Sequence, residues 1–258
     1  MPATATAALV VGLTLGFIGG RLTAPPRAPD SESGAPHGQS AAAPYSTPVA
    51  VVPASPDPEQ LVSDLAANLP PDDRKALEAA QRLMSSVSAQ VAEYQEVLAT
   101  LQQAGLVKPE TLNSEGEIDE RAVLVRRFAA ATEPLVSFFK KLEANFSREL
   151  TRVNYPARLR QGVLRGFLKS AHVELNVTIR ECDREMANTM LKILELLKRE
   201  WGAWRVEPDG KVAFTNAAAA QEYQRLAAQL GETARRQETA QNELAARVAI
   251  TKPEDKSG

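Results

Sequence analysis

Residues 157–201 read ARLRQGVLRGFLKSAHVELNVTIRECDREMANTMLKILELLKREW. Along this stretch Leu164, Leu168, Ala171, Leu175, Ile179, Cys182, Met186, Met190, Ile193, Leu197 and Trp201 recur in steps of four, three, four, four and three residues. That is an eleven-residue repeat, about 3.67 residues per turn, close to the natural period of a straight α-helix. A strand would alternate every second residue instead. The spacing therefore predicts one continuous helix over 157–201, about 68 Å long at ~1.5 Å per residue. A helix of that length implies an elongated bundle, because its apolar stripe must be covered along its whole length.

The flanking sequence supplies partners for the stripe. Before it, a helix is predicted over 119–153, with Val125, Phe128, Leu135, Phe139, Leu142, Phe146 and Val153 on one face. Pro134 should kink it, since proline removes one backbone hydrogen bond and crowds the preceding turn. Asn154-Tyr155-Pro156 then reads as a tight corner. Earlier still, residues 72–104 place Leu77, Met84, Val91 and Leu98 on one heptad site and Ala80, Val87, Tyr94 and Leu101 on the other. That a/d seam predicts coiled-coil-like packing, and Gly105-Leu106 fits a Schellman stop. A polar loop is expected over 110–117, and a short helix over 57–69 opened by Asp57-Pro58.

After the stripe, Trp204-Arg205-Val206-Glu207 and Lys211-Val212-Ala213-Phe214 flank Pro208-Asp209-Gly210. Alternation around Asp-Gly predicts a β-hairpin at about 203–215. A lone hairpin is marginal in water, so it must pack on the bundle or on a partner. Asn216 caps a last helix whose seam begins Ala220, Tyr223, Ala227, Leu230 and weakens through Gln237 and Gln241 before Leu244 and Val248.

The N-terminal part is of another kind. Residues 2–20 carry no charge, and Arg21 ends the run. Such a segment nearly spans a bilayer core of about 30 Å. It reads as an uncleaved anchor or as a signal peptide. The missing basic n-region, and Pro25 directly after the candidate cleavage residue Ala24, favour the anchor. Ala8, Gly12, Gly16 and Gly20 recur every four residues, a face on which two membrane helices can approach closely. Small residues are also simply common in membrane helices. Arg21 and Arg27 follow the segment, which by the positive-inside rule points to a cytoplasmic domain. The long spacer behind a short N-terminal tail points instead to an exported, periplasmic one, and we expect the latter.

Residues 23–58 hold 9 of the chain's 17 prolines, so neither helix nor sheet can propagate and a disordered linker is expected. The domain organisation is thus an anchor at 1–22, a linker at 23–58, a helical domain at 59–250 and a polar tail at 251–258. The fold class is all-α: an elongated antiparallel bundle with one small hairpin.

Motifs for chemistry are scarce. One cysteine among 258 residues excludes an intrachain disulfide framework. Cys182 lies on the apolar stripe, where a small buried core residue is the ordinary reading. His172 and Cys182 lie too far apart on one helix to share a metal. No HExxH, CxxC, GxGxxG, Walker-type or GxSxG pattern is present. The expectation is a non-enzyme without cofactor, metal or small-molecule substrate. The net charge of -2 argues against nucleic acid as a partner.

One local exception stands out. Residues 140–169 contain eight basic side chains (Lys140, Lys141, Arg148, Arg152, Arg158, Arg160, Arg165, Lys169) against Glu143 and Glu149. This is either an anion-binding surface or a solvated bundle end balanced by acids from other helices. The sequence as a whole predicts a single-pass, membrane-anchored scaffold or adaptor that acts through a protein partner or self-association. The alternative is a module that binds membrane surfaces or polyanions through 140–169.

Overall fold

The computed structural model describes residues 69–208 and 210–250. The anchor, the linker, the 57–69 helix and the Ala8/Gly12/Gly16/Gly20 face lie outside them, apart from Leu69. The described chain is mostly helical. It comprises α1 (Pro71–Ser85), α2 (Ser88–Gln103), a 3-10 turn (Pro109–Thr111), α3 (Glu115–Lys140), α4 (Leu142–Arg152), α5 (Ala157–Ser170), α6 (Val173–Arg199), strands β1 (Trp204–Val206) and β2 (Val212–Phe214), and α7 (Ala217–Ile250). Among the described residues, no helix is long and apolar enough to cross a membrane.

The helix of 157–201 is two helices. Ala171 ends α5, and His172 adopts a left-handed conformation, φ 44 and ψ 50, before α6 begins. Histidine tolerates that region better than most residues. The break has its own polar plug: Asn176, buried, donates through Nδ2 to the Ala171 carbonyl at 2.9 Å. A carbonyl orphaned by the interruption is thereby satisfied. The stripe survives the break, because Leu164, Ala171, Ile179, Cys182, Met186, Met190, Ile193 and Leu197 are all buried. Trp201 is not part of it. The residue lies beyond the end of α6 and is 37% exposed.

The other two long helices are also interrupted without losing their faces. Between α1 and α2, Ser86 Oγ donates to the Leu83 carbonyl at 2.6 Å and Ser88 Oγ to the Ser85 carbonyl at 3.0 Å. Serine hydroxyls compete with helical backbone bonding in this way. The heptad seam still continues across the gap, with Leu77, Ala80, Val87, Tyr94, Leu98 and Leu101 buried. Pro134 is accommodated inside α3, and the interruption comes at Lys141. There the chain changes partners: α3 packs on α2 and α6, whereas α4 packs on α1 and α5.

Helix ends follow capping chemistry. Leu106 N–H bonds Leu101 O and Gly105 N–H bonds Gln102 O, the two bonds of a Schellman motif. Tyr155 and Asn154 make the same pair of bonds to Leu150 and Thr151, with Asn154 at φ 53 and Pro156 following. Helix α3 starts at Glu115, earlier than the expected polar loop allows. Ser114 Oγ accepts from Glu117 N–H at 3.2 Å, and Glu117 reaches back to Asn113 N–H. Ser114-Glu-Gly-Glu117 is a capping-box signature.

Helix α6 is the axis of the bundle. It runs antiparallel to α3, as Lys198–Asp119 (2.6 Å) and Lys140–Glu181 (2.6 Å) pair opposite ends of the two helices. It runs antiparallel to α7 as well, through Arg199–Glu222 and Arg236–Glu185. The face of α7 that meets α6 is Ala219, Leu226, Thr233 and Ala240 alternating with Tyr223, Leu230, Gln237 and Leu244. Those are two unbroken heptad sites. Ala219 and Leu226 are buried where Ala220 and Ala227 were expected, and Ala227 is exposed.

The hairpin pairs Trp204 with Phe214, Arg205 with Ala213 and Val206 with Val212. It is held to the bundle end by Trp204 Nε1, which donates to Leu197 O at 2.9 Å, and by the Phe214–Tyr223 ring contact at 5.5 Å.

Candidate functional site

The eight basic residues of 140–169 do not form one patch. Lys140 pairs with Glu181 at 2.6 Å, and Arg152 with Glu149 at 2.9 Å. Arg160 donates to the Tyr155 carbonyl at 3.4 Å. The remaining five, Lys141, Arg148, Arg158, Arg165 and Lys169, are exposed and make no ion pair among the described residues.

Helix α5 concentrates them. Val163, Leu164 and Phe167 are its buried side, and Phe167 stacks on Phe146 of α4 with ring centroids 3.8 Å apart. On the opposite side Arg158, Gly162, Arg165 and Lys169 follow at steps of four, three and four. At about 100° per residue that spacing puts the three cations within roughly 40° of one another. Leu159, 39% exposed, forms one shoulder of the stripe.

The N-terminal part of this arrangement runs against helix electrostatics, whereas Lys169, in the last turn, is favoured by the dipole. Arg158 sits in the first turn, which has no acidic residue and no side-chain cap, because Pro156 precedes it. A cation there opposes the helix dipole by about 0.3–1 kcal/mol. Arg165 and Lys169 are a like-charge pair at i, i+4, which costs a few tenths of a kcal/mol more. The helix carries no acidic residue at all. Two carboxylates do stand near its N-terminal corner. Burial, then Asp73 and Asp72, push the Tyr155 phenol up from its ordinary range. Burial and Asp72 likewise raise the Asp73 carboxyl.

A second polar constellation is internal and was not anticipated from the sequence. Asp183, on α6, is fully buried, and Arg180 is 1% exposed. Arg180 Nη1 lies 2.9 Å from Asp183 Oδ2, and the Tyr94 hydroxyl donates to the same oxygen at 3.0 Å. The Arg180 guanidinium also sits over the Tyr94 ring, 4.5 Å from its centroid. From α7, Gln237 Nε2 donates to Asp183 Oδ1 and to the Ile179 carbonyl. Burial raises the Asp183 carboxyl, opposed by Arg180, Tyr94 and Gln237. Burial also raises the Tyr94 phenol. Asp183 is the common partner of Arg180, Tyr94 and Gln237, so the layer ties α2, α6 and α7 together. It separates a small apolar cluster (Ile179, Ala240, Leu244) from the main core.

Cys182 is buried beside this layer, with Arg236 Nε 3.3 Å from its Sγ. Burial pushes its thiol up, which works against thiolate chemistry. His172 is half-buried at the α5–α6 break. No group of three His, Cys, Asp or Glu able to hold a metal occurs among the described residues.

A groove of about 420 Å³ lies between α1 and α4, lined by Glu78, Gln81, Arg82, Ser85, Ser86, Glu149 and Arg152. Its arginines are already paired within their own helices, Arg82 with Glu78 and Arg152 with Glu149. Glu149 Oε2 is buried there without a hydrogen-bond partner in the described structure. Nothing in the local sequence marks this oxygen, since it depends on how α1 crosses α4.

No protein-family model, curated protein or solved structure matches the chain.

Proposed function

We propose that the protein is a non-enzymatic helical scaffold or adaptor, anchored by its N-terminal apolar segment in a membrane of the cell envelope, and that it works by contact with a protein partner or a second copy. The observation that supports this most is the buried polar layer around Asp183. Arg180, Asp183, Tyr94 and Gln237 are the chemically richest group in the interior, and they are directed at one another. That leaves the outer surface of an extended, coiled-coil-like bundle for recognition. The long proline-rich spacer behind a short N-terminal tail supports an extracytoplasmic side for the domain.

The test is cross-linking of the full-length chain in membranes. The expected result is an adduct, with itself or with one envelope protein, whose yield does not fall as salt rises. A chain that stays monomeric and uncoupled at every cross-linker length rejects the scaffold reading. A reporter fused after Gly258 tests the assigned side.

A second reading has its own support. The unpaired stripe on α5 favours an anionic surface as the thing contacted, with only part of 140–169 taking part.

A further inference from the structure

We infer that the outer face of α5 is a docking surface for an anionic lipid bilayer, with Arg158, Arg165 and Lys169 on the headgroups and Leu159 at the acyl boundary. This deepens the second reading above and rests on it.

The three cations share one narrow face, all exposed, and none has a carboxylate partner among the described residues. The face points directly away from Val163 and Phe167, so α5 can present it without leaving its seat on α4. From Arg158 to Lys169 the stripe is about 16 Å long at ~1.5 Å per residue. Its centre is Gly162, where a Cβ would meet nothing within 4 Å. A flat surface can therefore approach the backbone between the charges. The helix tolerates a cation at its N-terminus and a like-charge pair with no acid to offset them. Arg158 has no structural gain to set against its cost, and an anionic surface would supply the counter-charge.

A bilayer fits better than a nucleic acid. Strong phosphate-backbone binding draws on many cations at once. Here only three share a face, Asp72 and Asp73 stand near the corner, and the whole chain is net -2. A basic face with an apolar shoulder is what an interfacial helix presents to headgroups. Three cations bind a membrane weakly by themselves. They become effective when the chain is already held nearby, because a second contact is then intramolecular.

The experiment uses the full-length chain reconstituted with vesicles of pure phosphatidylcholine or with added phosphatidylserine. A fluorophore on Gly162→Cys reports docking through quenching by headgroup-labelled lipid. Unsubstituted protein, whose Cys182 is buried, provides the labelling blank. Flotation of the vesicles reports the anchor separately. The expected result is quenching on anionic vesicles alone, fading as salt rises. The Arg158→Gln/Arg165→Gln/Lys169→Gln variant should lower the docked-to-undocked ratio by roughly two orders of magnitude, with a melting temperature no lower than the parent's. Protein that floats with anionic vesicles but shows no quenching overturns the docking face and leaves the anchor standing. Equal quenching on neutral vesicles overturns it too, as does salt-sensitive binding of a duplex oligonucleotide in place of vesicles. Quenching on anionic vesicles by protein that does not float with neutral ones supports the docking face and counts against the anchor.

Discussion

Gln237 on α7 donates a hydrogen bond to Asp183 on α6 inside the bundle, where the heptad pattern would otherwise place a leucine. The polar interruption in the last helix is therefore a matched contact and not a frayed seam. Removing one member leaves the others without solvent to compensate them. Asp183→Ala strands the Arg180 charge in the core and should lower stability by about 3–5 kcal/mol. The double change Arg180→Met/Asp183→Leu removes both charges and should recover much of that loss. Urea denaturation of the three proteins checks this. A single variant as stable as the parent would mean that Asp183 does not hold the layer together.

His172 gives stability a pH dependence. Burial, and then Arg247, lower its imidazole below the usual 6.5. In the window below 6.5 the unfolded chain therefore binds more protons than the folded one, and stability falls as pH falls. His172→Asn, which tolerates the left-handed backbone, should keep the stability near pH 8 and flatten the slope between pH 7 and 5. His172→Val should be about 1–2 kcal/mol less stable than His172→Asn at every pH, because a β-branched side chain resists φ 44. Melting temperatures across that pH range separate the two effects.

The two tryptophans at the bundle end should differ. Trp204 is half-buried, bonded to Leu197 O and in edge contact with Trp201 at 5.6 Å. Trp204→Ala should cost about 3–5 kcal/mol. Trp201→Ala should cost about 1 kcal/mol, the worth of the ring pair alone. Equal losses would put Trp201 back on the buried stripe.

Ile179→Asp should lower stability by several kcal/mol, since it buries an unpaired charge in the cluster with Ala240 and Leu244. An unchanged thermal transition would refute the packing of α6 on α7.

On the proposed anchor, Gly16→Ile should weaken self-association in a bilayer reporter, because added bulk would keep two membrane helices apart. An unaltered signal would reject the Ala8/Gly12/Gly16/Gly20 face.

Periodicity revealed the helices and their buried sides, because burial repeats with the helical turn. Val125, Phe128, Leu135 and Phe139 could be named from spacing alone, as could the Trp204–Phe214 hairpin. The interruptions at Ser86, Lys141 and His172 were not legible, because a stripe can continue across a break that shifts the chain by little. Some clues were present: Ser114-x-x-Glu117 marked the start of α3, and a histidine flanked by Ala171 and Val173 allowed a left-handed turn. The polar layer was hidden for another reason. Tyr94 and Asp183 are 89 residues apart, and only the folded chain brings them to one oxygen. The basic residues were visible, but which of them stay unpaired depended on Glu181 and Glu149 arriving beside Lys140 and Arg152.

A zipper of like apolar teeth can slide by a whole heptad and mesh again almost as well. In α7 the tooth above Gln237 is Leu230 and the tooth below it is Leu244. Either shift would set a leucine against the Asp183 carboxylate and carry the Gln237 amide away from it. One glutamine thus gives the two longest helices a single axial position, and with it fixes where the hairpin and the His172 turn fall along the bundle.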